Sequence, residues 1–347
     1  MKFSKLFTVS LALAAAFMIS CDRNDPEDEM TATNYEHGIL ISNEGGFSTP
    51  TASVSFLSND FSVNESDIFA KSNNNEKLGN VLQSIGFKGD QAYLVMNKPS
   101  KIEIVNRNSF QKTGTITTNL DQPRYIAFHG NYTYVTNNNF FDVKKVSVFD
   151  AGNQFVKDIP FPRYADKITS SGGYIYVQTD GVDYIPNEVP TGHTISRINP
   201  ANNVVDQVIT LTDNAPIRDM VADQNSVYVL TSDDQNTYLY TITANSGAFS
   251  KAEFSGVTQA RNLALDGGKI YFFTGDNRVH VVTGNSSSPL FNVSSSAYVY
   301  GFNVIGQHVF ISEPSFVSDS TVKIFNLSGT LVKTLSTGIG TNGFYQN

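Results

Sequence analysis

The chain has no tryptophan, one cysteine and no run of basic residues, and only 16% of its residues are charged. Each shortage closes off a class of function. A single cysteine makes neither an internal disulfide nor a cysteine-based zinc site. With a formal net charge of −8 and no cationic face, the chain lacks what nucleic-acid phosphates require. Its charged fraction is well below the roughly 25% of an average soluble chain; Asn, Ser, Thr and Gly stand in, as in extracellular β-rich proteins. His37, His129, His193, His280 and His308 fall in different repeats, with no metal-ligand spacing among them. There is no GxSxG elbow, and no Gly-rich turn opens a helix, so neither a nucleophile nor a phosphate loop is expected. Asp233-Asp234 and Asp276-Asn277 read as tight turns rather than calcium ligands. No metal, cofactor or catalytic residue is therefore expected. Disorder is not expected either, because 347 residues at 40% hydrophobic content are enough to bury a large core.

What is present begins at the N-terminus. Lys2 and Lys5 precede an apolar stretch, residues 6–19, shorter than the roughly 20 residues that span a bilayer as a helix. Residues 1–20 read as a signal peptide. Met18-Ile19-Ser20-Cys21 resembles a bacterial lipobox, which implies lipidation of Cys21; the alternative is an ordinary secretory signal with an incidental cysteine. Residues 21–34 are acidic and too polar to pack, so they read as a tether. An acidic run after the lipidated cysteine resembles the surface-export signal of Bacteroidota lipoproteins, the alternative being a plain periplasmic linker. The expected location is the outer membrane, lipid-anchored and exposed at the cell surface, with the anchor as the sole membrane contact.

From residue 35 to 347 the chain repeats. Short runs of β-branched and aromatic residues alternate with Gly, Asn, Asp and Ser clusters, and no helical period is sustained. A strand, a tight turn and a second strand with a central aromatic recur at residues 85–93, 126–134, 168–176, 220–228, 263–271 and 302–310. The marker aromatics Tyr93, Tyr134, Tyr176, Tyr228, Tyr271 and Phe310 lie 41, 42, 52, 43 and 39 residues apart. A third strand and usually a fourth follow each pair, the pattern of a β-propeller blade. The fold class is therefore all-β: a seven-bladed β-propeller of four-stranded blades, with six or eight blades as the alternatives. The seventh blade is split, residues 342–345 pairing with residues 37–41 to close the ring and remove an exposed edge.

Propeller repeats say nothing about chemistry, which must come from loops on one face. Strand alternation puts the start of each first strand on the same face as the loop joining strands two and three. The residue ten before each marker sits there: Gln83, Arg124, Asp166, Arg218, Arg261 and Tyr300. These are expected to ring the mouth of the central channel. Arg suits phosphate, carboxylate or amide oxygens; the alternative is that these Arg pair with Asp166, Asp219 or backbone carbonyls as purely structural groups. Loops on the same face carry Phe47, Phe140, Phe141, Tyr184 and Phe316, a candidate stacking platform.

The opening strand, with Asn43-Glu44-Gly45 as its most specific piece, resembles that of the YncE-like propeller lipoproteins of the Bacteroidota, the DUF5074 group. The best understood members, of the BtuG type, capture cobalamin with the loop face and pass it to a TonB-dependent outer-membrane transporter. The resemblance thus implies a non-catalytic capture protein, with cobalamin the first candidate ligand and such a transporter the expected partner. A protein-interaction propeller is the second reading. A lactonase- or quinoprotein-like enzyme is the third, weakened because the ring has one carboxylate and no histidine.

Overall fold

The computed structural model describes residues 34–179, 182–183, 189–190, 193–295 and 298–347; the signal peptide, Cys21, nearly all of the tether, and Tyr184 lie outside them. Residues Tyr35–Asn347 form one compact unit. Its described residues form seven four-stranded antiparallel sheets, the blades of a propeller, with a two-stranded ribbon of Val182–Asp183 and Val189–Pro190 and one short helix, Ile68–Ser72. Among the described residues no helix is long and apolar enough to cross a membrane.

Six of the seven blades run outward from the channel in chain order. The second is Val81–Lys88, Gln91–Lys98, Lys101–Asn106 and Lys112–Ile116. The third is Pro123–His129, Tyr132–Asn138, Lys144–Phe149 and Phe155–Pro160. The inner strands of the next four are Ile168–Ser171, Ile217–Ala222, Ala260–Asp266 and Phe302–Ile305. The first blade alone departs from chain order. Its inner strand is the C-terminal Thr341–Gln346, followed by Gly38–Asn43, Ser53–Ser58 and Asn64–Glu65.

Alternation of side chains explains why these residues form this ring. Successive residues of a strand point to opposite faces, and in a propeller each face meets a different neighbour. Tyr93 and Val95 pack with Val135 and Phe149 of the third blade, whereas Ala92, Leu94 and Met96 pack with Leu40 and Phe56 of the first. Seven apolar clusters result, one between each pair of adjacent blades. The marker aromatics Tyr93, Tyr134, Tyr176, Tyr271 and Phe310 are buried; Tyr228 is half-buried. Each fully buried large apolar side chain contributes roughly 1.5–3 kcal/mol.

Ring closure rests on polar groups as well. Ile39 pairs with Gln346 and Asn43 with Thr341. The buried Asn43 side chain accepts from the Thr341 hydroxyl at 2.7 Å and donates to Ser53 and Ser55 at 3.1 Å each. The Glu44 and Gly45 amides donate to the carbonyls of Gly340 and Ile339, and the Glu44 carbonyl accepts from Leu82 of the second blade. Gly45 has φ +87, and a Cβ there would lie 2.4 Å from the Ala52 nitrogen and 2.5 Å from the Asn80 oxygen. Only glycine fits without moving backbone. Asn43→Ala should lower unfolding free energy by about 2–3 kcal/mol, since it orphans buried hydroxyls, and Gly45→Ala by at least as much; chemical denaturation of both variants measures this. Wild-type stability in both would mean that closure does not depend on this clasp.

Candidate functional site

The start of every inner strand carries a β-bulge. Gln83 is the extra residue between the paired Leu82 and Ser84. Arg124 and Tyr125 fall in the register break between Pro123 and Ile126. Arg218 sits between Ile217 and Asp219, and Arg261 between Ala260 and Asn262. In the fourth blade Asp166 donates its amide to the Gln178 carbonyl while the Gln178 amide donates to Lys167, two residues opposing one. Tyr300 and Gly301 oppose Ser312 in the same way, and Asn342 is the extra residue in the first blade. A bulged residue escapes the ladder, so its side chain is released from strict alternation and can be re-aimed. At this level in the wheel the alternative to the inter-blade core is the channel.

Five of these side chains, Arg124, Asp166, Arg218, Arg261 and Tyr300, line one cavity of about 540 Å³ at the channel mouth. This lies within the roughly 300–1,000 Å³ of small-molecule sites. Lys167, Gln178, Asn262, Asp234 and Gln259 add polar groups to the wall; Phe140, Tyr164 and Tyr298 add aromatic ones. A second cavity of about 380 Å³ shares Lys167 and Asn262 and is lined by Asp219, Asn342 and Tyr345. Lys167 therefore stands between the mouth and the rest of the channel.

Most of the charge at the mouth is internally matched. Arg124 Nε donates to Asp166 at 2.6 Å, its Nη1 to Gln83 Oε1 at 3.3 Å, and its guanidinium lies 5.1 Å from the Phe140 ring centroid. Burial alone would lower the Arg124 pKa, but Asp166 together with Tyr125 and Tyr300 outweighs it and the pKa is raised. Lys167 behaves alike: burial opposes its charge, and Asp219 at 3.1 Å, with Tyr125 and Asp166, more than restores it. Glu44 accepts from the Tyr300 hydroxyl at 2.8 Å. Burial raises the Glu44 pKa, with the Tyr300 hydrogen bond and Arg124 pulling partly the other way. Burial, followed by the Glu44 charge, also raises the Tyr300 pKa. Arg218 Nε donates to the Ser232 carbonyl at 3.0 Å. Among the described residues Arg261 makes no hydrogen bond or ion pair; its guanidinium lies 5.2 Å from the Tyr298 ring centroid.

The structure thus sorts the expected site residues. Gln83 does not line the cavity but braces Arg124 from behind. Phe140 is in the wall, and Phe316 packs edge-on against Tyr300 at 5.8 Å. Phe47 and Phe141 are exposed outside the lining, Phe47 carrying Lys98 Nζ at 3.8 Å from its ring centroid. The structural alternative holds for Arg124, which pairs with Asp166, but Asp219 pairs with Lys167 rather than with an arginine. Sequence reasoning missed Lys167, Asn262 and Tyr298. The first two immediately follow ring residues, and a rule of alternation excludes such neighbours unless a bulge is recognised. Asn342 escaped because its inner strand is far in sequence from the second strand it joins.

Residues 37–185 match the family model described as Domain of unknown function (DUF5074), a match that includes the opening strand and Asn43-Glu44-Gly45. No curated protein matches the chain. Among solved structures, the Kuenenia stuttgartiensis hydrazine synthase is similar at 17% identity with a TM-score of 0.59, over 76% of this chain and 88% of that one. The dihydro-heme d1 dehydrogenase NirN in complex with DHE is similar at 11% identity and 0.58, over 91% and 75%. BamB from Moraxella catarrhalis is similar at 10% and 0.55, over 88% and 85%. At such identities the likeness is one of fold. Two of these structures carry enzyme names and one does not, so the architecture alone does not decide between catalysis and binding.

Two predictions follow from the charges. Because the folded-state pKa of Glu44 lies above its ordinary value of 4.5, its contribution to stability is fully present below that value and is lost as pH rises through the folded pKa. Glu44→Gln should therefore flatten the fall in stability above pH 4.5 in urea unfolding; an unchanged pH profile would refute the assignment. Arg124→Gln should cost about 1–3 kcal/mol by stranding Asp166, while Arg261→Gln should stay within about 0.5 kcal/mol. Equal losses would show that the two arginines play the same role.

Proposed function

We propose, taking as premise a seven-bladed propeller whose residues 37–185 match DUF5074, that this protein binds a small solute at the channel mouth and releases it unchanged. The observation that carries this reading is the convergence of five bulge side chains and an aromatic wall on one cavity of small-molecule size. The carboxylates there are engaged rather than poised as bases: Asp166 with Arg124, Glu44 with Tyr300, and Asp234 with Gln259 at 3.3 Å. Fixed polar groups of this kind favour affinity, because they are ordered before the ligand arrives. The reading is non-catalytic, against the third possibility of a lactonase- or quinoprotein-like activity.

Cobalamin, which the family resemblance implies, is the first compound to titrate. Delivery to a TonB-dependent transporter, lipidation at Cys21 and display at the cell surface belong to the same proposal; the residues that motivate the last two lie outside the described structure. A second reading, a surface that grips another protein, is favoured by one observation. Phe47, Phe141 and Val317, on loops of the mouth face, are 69%, 76% and 92% exposed, more than a solute in the cavity would cover.

Calorimetric titration of the purified chain with a panel of cobalamin, nucleotides, flavins and neutral sugars is expected to give saturable binding by at least one compound. Phe140→Ala should weaken that binding about two- to tenfold if the ring stacks on the ligand. Absence of binding across the panel would discard the capture reading in favour of the protein-gripping one.

A further inference from the structure

We infer that the solute captured at the mouth bears an oxyanion, carboxylate or phosphate, and that Arg261 receives it; the inference rests on the capture reading above and names its ligand class. Four cations line the cavity: Arg124, Lys167, Arg218 and Arg261. Two are committed to carboxylates, Arg124 to Asp166 and Lys167 to Asp219, and Arg218 donates to a backbone carbonyl. Arg261 differs. It is half-buried on a bulge at the mouth, and among the described residues its one interaction is with the face of Tyr298.

A guanidinium has five N–H donors and no acceptor, and it stays charged under all ordinary conditions. An aromatic face satisfies the cation electrostatically but takes none of those donors. A partly desolvated group in that state gains most from a partner that brings negative charge and paired acceptors, which is the geometry of a carboxylate or phosphate. The other carboxylate in the wall, Asp234, already accepts from Gln259. The exposed ring of Tyr298 beside Arg261, with Phe140 also in the wall, offers apolar surface for a flat body attached to that anion. The recognised class is therefore a small molecule with a planar portion and an oxyanion.

Flavin mononucleotide and riboflavin form a matched probe pair, differing by one phosphate. With the purified full chain, flavin fluorescence titration should show the mononucleotide binding at least about tenfold more tightly than riboflavin. Added sodium chloride should weaken the mononucleotide selectively. Arg261→Gln should bring the mononucleotide down to the level of riboflavin, and Arg261→Lys should retain part of the preference; thermal unfolding of both variants should match wild type. Equal affinities for the two flavins, no binding of either, or a preference that survives Arg261→Gln would each overturn the anion assignment. Binding of a neutral sugar alongside any of those results would overturn this assignment while leaving capture standing, whereas failure of the whole panel would remove both.

Discussion

The second strand of each blade is covered on both faces by neighbouring blades, and that single constraint organises the rest. A strand buried on both sides need not alternate apolar with polar residues, and that of the second blade reads as a continuous run, Ala92-Tyr93-Leu94-Val95-Met96, split between two interfaces. Such an arrangement is stable only when no blade is left without a neighbour. The wheel must close, and it closes by laying Thr341–Gln346 beside Gly38–Asn43. Asn43 then joins three hydroxyls from both ends of the chain in one buried cluster. The segment that carries the family resemblance is in this light a clasp: Asn43 stitches the ends, Gly45 lets two backbones approach, and Glu44 alone reaches the mouth.

The bulges reconcile this constraint with a usable channel. A regular inner strand would send all its side chains into the apolar interfaces, leaving the channel lined by backbone. One extra residue per blade breaks the ladder at the same level in all seven blades and frees one side chain each time. Because the freed residue needs no apolar neighbour, its identity can vary without disturbing the core. Gln, Arg, Asp, Tyr and Asn all occur there. A rigid scaffold thus holds a variable ring of functional groups, and the positions most open to specialisation adjoin those least tolerant of change.

Much of this was legible in the sequence, for identifiable reasons. The strand–turn–strand unit with its central aromatic repeats at near-constant spacing because every blade solves the same packing problem, so blade number and the split blade could be read directly. The ring followed from counting ten residues back from each marker, since the first hairpin hardly varies in length. Pairing across blades was legible only as an alternative, arginine with Asp166 or Asp219, and not as to which arginine would take it. Arg124 meets Asp166 because the same position in the next blade lies beside it, but nothing local distinguishes that pairing from the lack of one at Arg261 among the described residues. Lys167 was invisible for another reason: a residue next to a ring position is assigned to the opposite face unless the bulge is known. Phe47 and Phe141, expected in a stacking platform, are exposed outside the lining, and sequence does not say whether a loop aromatic leans over the mouth or away from it.

The distribution of charge around the mouth bears on how selective the site is. Arg124 and Asp166, Lys167 and Asp219, Tyr300 and Glu44 hold one another in place, so this arc presents oriented dipoles with little net charge. A wall of that kind rewards a ligand whose hydrogen-bonding groups match it and penalises one that strips a partner from a buried charge. On the other arc, the donors of Arg261 are not taken by any of the described residues. A molecule entering such a mouth meets fixed complementarity on one side and an open cationic group on the other, which orients it before any loop moves. Orientation from asymmetry needs no mobile lid and no catalytic group. It follows from where seven bulges happen to place charged side chains, and from which of them found a partner in the next blade.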